Sequence, residues 1–150
     1  MNITNNLNDD ILHAPNWFHQ AIQDKPEDKI FEHKLGKVSY SKWVTSSANE
    51  NLIVLLHGGG AHKKWWDPIG PQIKEIGNII AIDLPGMGYS DFREKYSIVD
   101  YGNCVTDIIE KEKLDHGLET VNIVGHSLGG HVAGYIATER KDLITNVIII

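Results

Sequence analysis

Leu52 to Leu56 and Ile79 to Ile82 are short, unbroken apolar runs, the pattern of strands buried on both faces. Val121 to Val124 reads as a third such strand and Asn146 to Ile150 as a fourth. Between them the apolar spacing turns helical. Trp66, Ile69, Ile73 and Ile76 fall on one side of a helix over 66 to 76, whose regular part Pro68 and Pro71 push later. Ser97 with Asp100 three residues on resembles a capping box, and Tyr101, Val105, Ile108 and Ile109 recur at helical spacing behind it. A further helix opens after Ser127, with Gly130, Ala133, Gly134 and Ala137 expected where it approaches the sheet. Upstream, residues 1 to 13 form a polar arm, and Pro15 to Asp24 a short helix with Trp17, Phe18, Ala21 and Ile22 on one face. Ile30 to His33 and Val38 to Thr45, joined through Leu35-Gly36-Lys37, predict an antiparallel hairpin that begins the sheet. Strands alternating with helices predict an α/β fold, a mostly parallel sheet with helices on both faces.

The chemistry gathers where strands end. Ser127 sits in Gly125-His126-Ser127-Leu128-Gly129, between a buried strand and a helix of small residues. A strand that turns this sharply into a helix holds the serine hydroxyl out at the sheet edge, and the glycines remove side chains that would collide in the turn. The first apolar run leads into His57-Gly58-Gly59-Gly60-Ala61, where glycines let the backbone approach a ligand closely. The second leads into Asp83-Leu84-Pro85-Gly86-Met87-Gly88-Tyr89-Ser90.

These three segments, in this order, resemble motifs of the serine-dependent α/β-hydrolases, and the resemblance covers residues 29 to 150. It implies the α/β-hydrolase fold and Ser127 as nucleophile toward a carboxylic ester, thioester or related acyl compound, through an acyl-enzyme. It also implies an oxyanion hole from the backbone N–H groups of Leu128 and Gly59, with Gly60 as the alternative second donor. No cofactor and no metal are implied. Relatives with Asp at the nucleophile position, the epoxide hydrolases and haloalkane dehalogenases, are disfavoured by Ser127, while carbon-carbon bond hydrolases, perhydrolases and acyltransferases stay open. A non-catalytic ligand receptor or interaction protein on the same scaffold is the alternative.

In this family the triad acid and then the histidine follow the serine in the chain. After Ser127 only His131, Glu139 and Asp142 could serve, and their positions on or just past the helix that Ser127 opens keep all three from the hydroxyl. Residues 29 to 150 therefore read as the N-terminal portion of a catalytic domain whose C-terminal part is missing, preceded by an arm and short helix over 1 to 28.

His57 and His126 read as hydrogen-bonded framework groups, and Asp83 as fixing its turn. His62 and Trp65 follow the glycine loop and are candidates for substrate contact, although Trp65 and Trp66 could equally serve the core or its rim. His57 and His62 without a carboxylate or cysteine cluster do not make a metal site. Cys104, the one cysteine, excludes an internal disulfide and reads as a small buried apolar residue. A net charge of −6, from 14 basic and 20 acidic residues with no basic stripe beyond Lys63-Lys64, argues against nucleic acid as a partner, and the partner the resemblance implies is a small acyl substrate. The first ten residues lack a secretion signal, and no run approaches the roughly 18 apolar residues of a membrane span, so the expected location is the cytoplasm.

Overall fold

The computed structural model describes residues 13–45 and 50–150. The arm expected over 1 to 13 lies outside them apart from His13. Helix α1 (Asn16–Gln23) is followed by β1 (Glu27–His33), β2 (Gly36–Trp43) and β3 (Asn51–Leu56). A broken helical segment then leads to β4 (Asn78–Ile82), and it includes α2 (Gly70–Ile73). After it come α3 (Ile98–His116), β5 (Thr120–Gly125), α4 (Leu128–Glu139) and β6 (Asn146–Ile149).

The strands form one sheet in the order β1-β2-β4-β3-β5-β6. The hairpin β1–β2 is antiparallel and joins β4 antiparallel, while β4, β3, β5 and β6 run parallel. This is the α/β-hydrolase arrangement, a mixed and mostly parallel sheet between helices. One face packs Val54, Leu56, Ile80 and Ile123 against Tyr101, Val105 and Ile108 of α3 and Val132, Ala133 and Ile136 of α4. The other face buries Trp43, Ile53, Ile79 and Trp66. It is covered less completely: Ile53, Ile76, Val124 and Ile148 line an open groove.

The Ser97 cap forms as its spacing predicts. Its hydroxyl accepts the Asp100 N–H at 3.1 Å and donates to the Asp100 carboxylate at 2.7 Å. Two expected elements differ. Residues 66 to 76 do not make one amphipathic helix: a 3-10 turn over Lys63–Trp66 precedes α2, a second over Lys74–Ile76 follows it, and Ile76 is 61% exposed. Pro68 and Pro71 withhold two backbone donors. Gly70 sits so close under Trp43 that a Cβ there would meet its ring at 2.9 Å, which turns the segment onto the sheet instead. On α4 the face that reaches the sheet is Gly129, Gly130, Val132, Ala133 and Ile136, whereas Gly134 and Ala137 are half-exposed. Among the described residues no helix is long and apolar enough to cross a membrane.

Candidate active site

The parallel register brings the three segments together. Leu56 pairs with Ile82 on one side and Gly125 on the other, and Gly125 pairs with Ile149, so all four strands end level. His57, Asp83, His126 and Ile150 therefore leave the sheet side by side at its carboxyl edge, where ligands of such sheets bind.

Ser127 is the only residue other than glycine with positive φ among the described residues, at φ 51° and ψ −112°. Holding an L-residue there costs about 1–3 kcal/mol, and the surroundings over-determine it. The His126 N–H donates to the Leu56 carbonyl and the Ser127 N–H to the Ile150 carbonyl, each at 3.0 Å, so neighbouring strands stitch the bend from both sides. The bend is also too tight for side chains. A Cβ on Gly125 would lie 2.3 Å from the Gly129 carbonyl oxygen, and one on Gly129 would lie 2.4 Å from that of Leu56. Ser127 is exposed, and its hydroxyl does not cap the helix it precedes.

The glycine loop lies against this bend. A Cβ on Gly58 would touch Ser127 Cβ at 3.4 Å, and one on Gly59 would reach a Leu128 methyl at 4.0 Å. Leu128 opens α4, so its N–H belongs to the first-turn donors that an α-helix leaves without an intrahelical acceptor. The structure thus brings Ser127, Leu128, Gly58 and Gly59 together. Gly60 has φ 72° with open space around it.

The neighbouring polar groups hold the loops. His57 is fully buried: its Nδ1 donates to the Gly58 carbonyl at 2.7 Å, and its Nε2 accepts the Leu84 N–H at 3.0 Å. Burial pushes this imidazole below its usual 6.5, and the hydrogen bond to Gly58 only partly offsets that. Asp83, also fully buried, accepts the N–H groups of Lys63 at 2.6 Å and Tyr89 at 2.9 Å, tying the second loop to the first. His126 lies between the Gly58 backbone and Trp65, whose ring centroid is 4.8 Å from its own, and its Nδ1 is buried without a partner. His131 points its Nδ1 at the Ser127 backbone carbonyl, 3.1 Å away, rather than at the hydroxyl. The 3-10 turn divides the tryptophan pair: Trp66 is 7% exposed in the core, and Trp65 is 52% exposed on the site's side. His62 is exposed at the start of that turn. Among the described residues no group of three or more His, Cys, Asp and Glu could hold a metal ion.

Two features escape sequence reasoning. The Ile150 carbonyl restrains Ser127, a role that only strand register discloses. Lys63 is buried and reaches Asp28 at 2.6 Å and Ser39 at 2.8 Å, a placement that nothing in the Lys63-Lys64 pair signals.

A family model described as alpha/beta hydrolase fold matches residues 51–150. The chain is 33% identical over 123 residues to a soluble epoxide hydrolase of Corynebacterium sp. (strain C12), covering 81% of this chain and 42% of that protein. It is 30% identical over 131 residues to an esterase of Mycobacterium tuberculosis (strain H37Rv), covering 87% of this chain and 42% of that one. Among solved structures, the thioesterase domain from the curacin biosynthetic pathway superposes with a TM-score of 0.69 at 23% identity, over 83% of this chain and 46% of that domain. The chain spans less than half the length of these relatives. From the match over residues 51–150 and the shared fold, the chain belongs to the alpha/beta hydrolase fold family.

Proposed function

We propose that the protein is a serine hydrolase of carboxylic esters, thioesters or related acyl compounds, with Ser127 as its nucleophile. The observation that carries this reading is the strained, doubly stitched Ser127, an exposed residue whose hydroxyl caps nothing and which lies against the glycine loop. Ser127 Oγ attacks the acyl carbon while a histidine takes its proton. The bond to the leaving alcohol or thiol then breaks, that proton passes to the leaving group, and the acyl group stays on Oγ until water releases it. Negative charge on the carbonyl oxygen is held by the N–H groups of Gly59 and Leu128, each worth roughly 2.7–4 kcal/mol in the transition state. The esterase relative supports the hydrolytic reading. The epoxide hydrolase relative supports hydrolysis on this scaffold, and a serine at position 127 favours acyl chemistry over epoxide opening.

The reading also needs a base and its carboxylate. His57 spends both ring nitrogens on the backbone, His131 faces a carbonyl, and the His126 Nδ1 is buried against the Gly58 backbone, so none of the three is hydrogen-bonded to Ser127 Oγ. It therefore places the catalytic histidine and acid outside these 150 residues, in the longer protein.

Fluorophosphonate labelling of the full-length protein tests it. Covalent labelling that vanishes in Ser127→Ala is expected. Folded protein that takes no label would overturn the reading and favour a non-catalytic receptor.

A further inference from the structure

Resting on that reading, we infer that Trp65 is the acyl-chain platform of the site and selects substrates with a long or bulky apolar acyl group over acetyl compounds. Of the four tryptophans, Trp43 and Trp66 are 3% and 7% exposed, whereas Trp17 and Trp65 leave 48% and 52% of their surface open, and of these two it is Trp65 whose ring meets the residue next to Ser127. Its placement is nonetheless fixed. Its backbone N–H donates to the His62 carbonyl at 3.0 Å within the 3-10 turn, and its ring packs against that of His126 at 48°.

His126 connects this ring to the reacting atom. It is the residue before Ser127, and it lies so close to Gly58 that a Cβ there would meet its Nδ1 at 2.8 Å. The order in space is indole, imidazole, glycine loop and serine. A substrate carbonyl held between Ser127 and the Gly59 amide can extend its substituent over His126 onto the open indole. An aromatic side chain left half in water beside a reactive group gains most from an apolar partner that covers it. An acetyl group offers one methyl to this surface, whereas a longer alkyl chain or an aryl group brings the apolar area that covering the indole rewards.

Two measurements on the full-length protein test this. The first is the ratio of covalent labelling rates for a long-chain and a methyl fluorophosphonate, compared between wild type, Trp65→Ala and Trp65→Phe. The ratio is expected to fall about tenfold in Trp65→Ala, the scale of discrimination that an apolar contact supplies, and to recover in Trp65→Phe. An unchanged ratio would overturn the platform. The second uses Ser127→Ala protein and needs no chemistry: octanamide binding, followed by calorimetry, should weaken about tenfold when Trp65→Ala is added, while acetamide shows no such dependence. Octanamide affinity indifferent to Trp65 would refute the platform even if no probe reacts. Absent labelling with intact Trp65-dependent binding would instead remove the nucleophile and keep the platform.

Discussion

Two polar regions of this molecule treat their hydrogen-bonding groups in opposite ways. Between β2 and α3, Lys42 and Glu112 are 4% and 2% exposed and meet at 2.5 Å, with the Tyr40 hydroxyl donating to the second Glu112 oxygen at 2.7 Å. His116 closes the group, its Nε2 2.6 Å from the lysine nitrogen. Burial raises the Glu112 carboxyl, but the hydrogen bonds from Lys42 and Tyr40 outweigh it and hold the group below its ordinary value. Burial, together with the Glu112 hydrogen bond, pushes the Tyr40 phenol well above its usual range. At the carboxyl edge of the same sheet, by contrast, Ser127 is exposed with its hydroxyl capping nothing, and the His126 Nδ1 has no partner. Charge closed upon itself is structure. Strained and open polar groups are where a ligand finds partners, and the fold holds them there at a cost in stability.

Removing a side chain should therefore have opposite consequences in the two regions. On the proposed function, Ser127→Gly is expected to lower hydrolytic turnover of the full-length protein by about 10⁶-fold, the scale of losing a triad nucleophile. The same change relieves a positive φ and should raise stability to urea by about 1 kcal/mol. A variant both inactive and destabilised would break the contrast.

In the closed cluster, Lys42→Met leaves Glu112 buried without its lysine counter-charge, holding only the Tyr40 hydroxyl and His116, so urea denaturation should show a loss of up to about 3–5 kcal/mol. The double variant with Glu112→Met should recover most of it. Turnover of the protein that remains folded should stay near wild type, because neither residue touches the carboxyl edge.

Gly125→Ala probes the bend itself. With a Cβ 2.3 Å from the Gly129 carbonyl oxygen, the backbone must shift, at a cost of about 1–3 kcal/mol. Turnover should fall with it, since the hydroxyl moves as the bend opens, and an active, stable alanine variant would contradict the tight geometry.

The smallest effect is that of pH on His57. Burial keeps its folded pKa below the ordinary 6.5, so the unfolded chain takes up the proton first. Its contribution is intact above about pH 6.5 and is lost as pH falls through the folded value, at no more than ~1.4 kcal/mol per pH unit. Denaturation at pH 7.5 and 5.5, with NMR following protonation of the ring in the folded protein, checks the sign: the ring should take up its proton at lower pH than a free imidazole. Glu112, already ionised, should contribute nothing over that interval.

The sheet and the bend were readable because their signals are local. Unbroken apolar runs such as Leu52 to Leu56 mark strands buried on both faces, and glycines flank Ser127 where no side chain fits. The closed cluster was not. Ser41-Lys42-Trp43 shows no alternation that would mark Lys42 as buried, and within the charged run Glu110-Lys111-Glu112-Lys113 the residue type of Glu112 carries no signal of burial. Only the packing of α3 over β2, seventy residues away in the chain, makes that pair. The Ile150 carbonyl that restrains Ser127 was hidden for the same reason, as was the division of Trp65 from Trp66. Prolines at 68 and 71 signalled a disturbed helix, but Gly70 beneath Trp43 determined how it broke.

The most direct test is a crystal structure of the full-length protein after reaction with a fluorophosphonate. The expected adduct joins phosphorus to Ser127 Oγ, with the phosphoryl oxygen roughly 2.7–3.1 Å from the backbone nitrogens of Gly59 and Leu128. Phosphorus on another residue, or a phosphoryl oxygen turned away from both amides, would contradict the account.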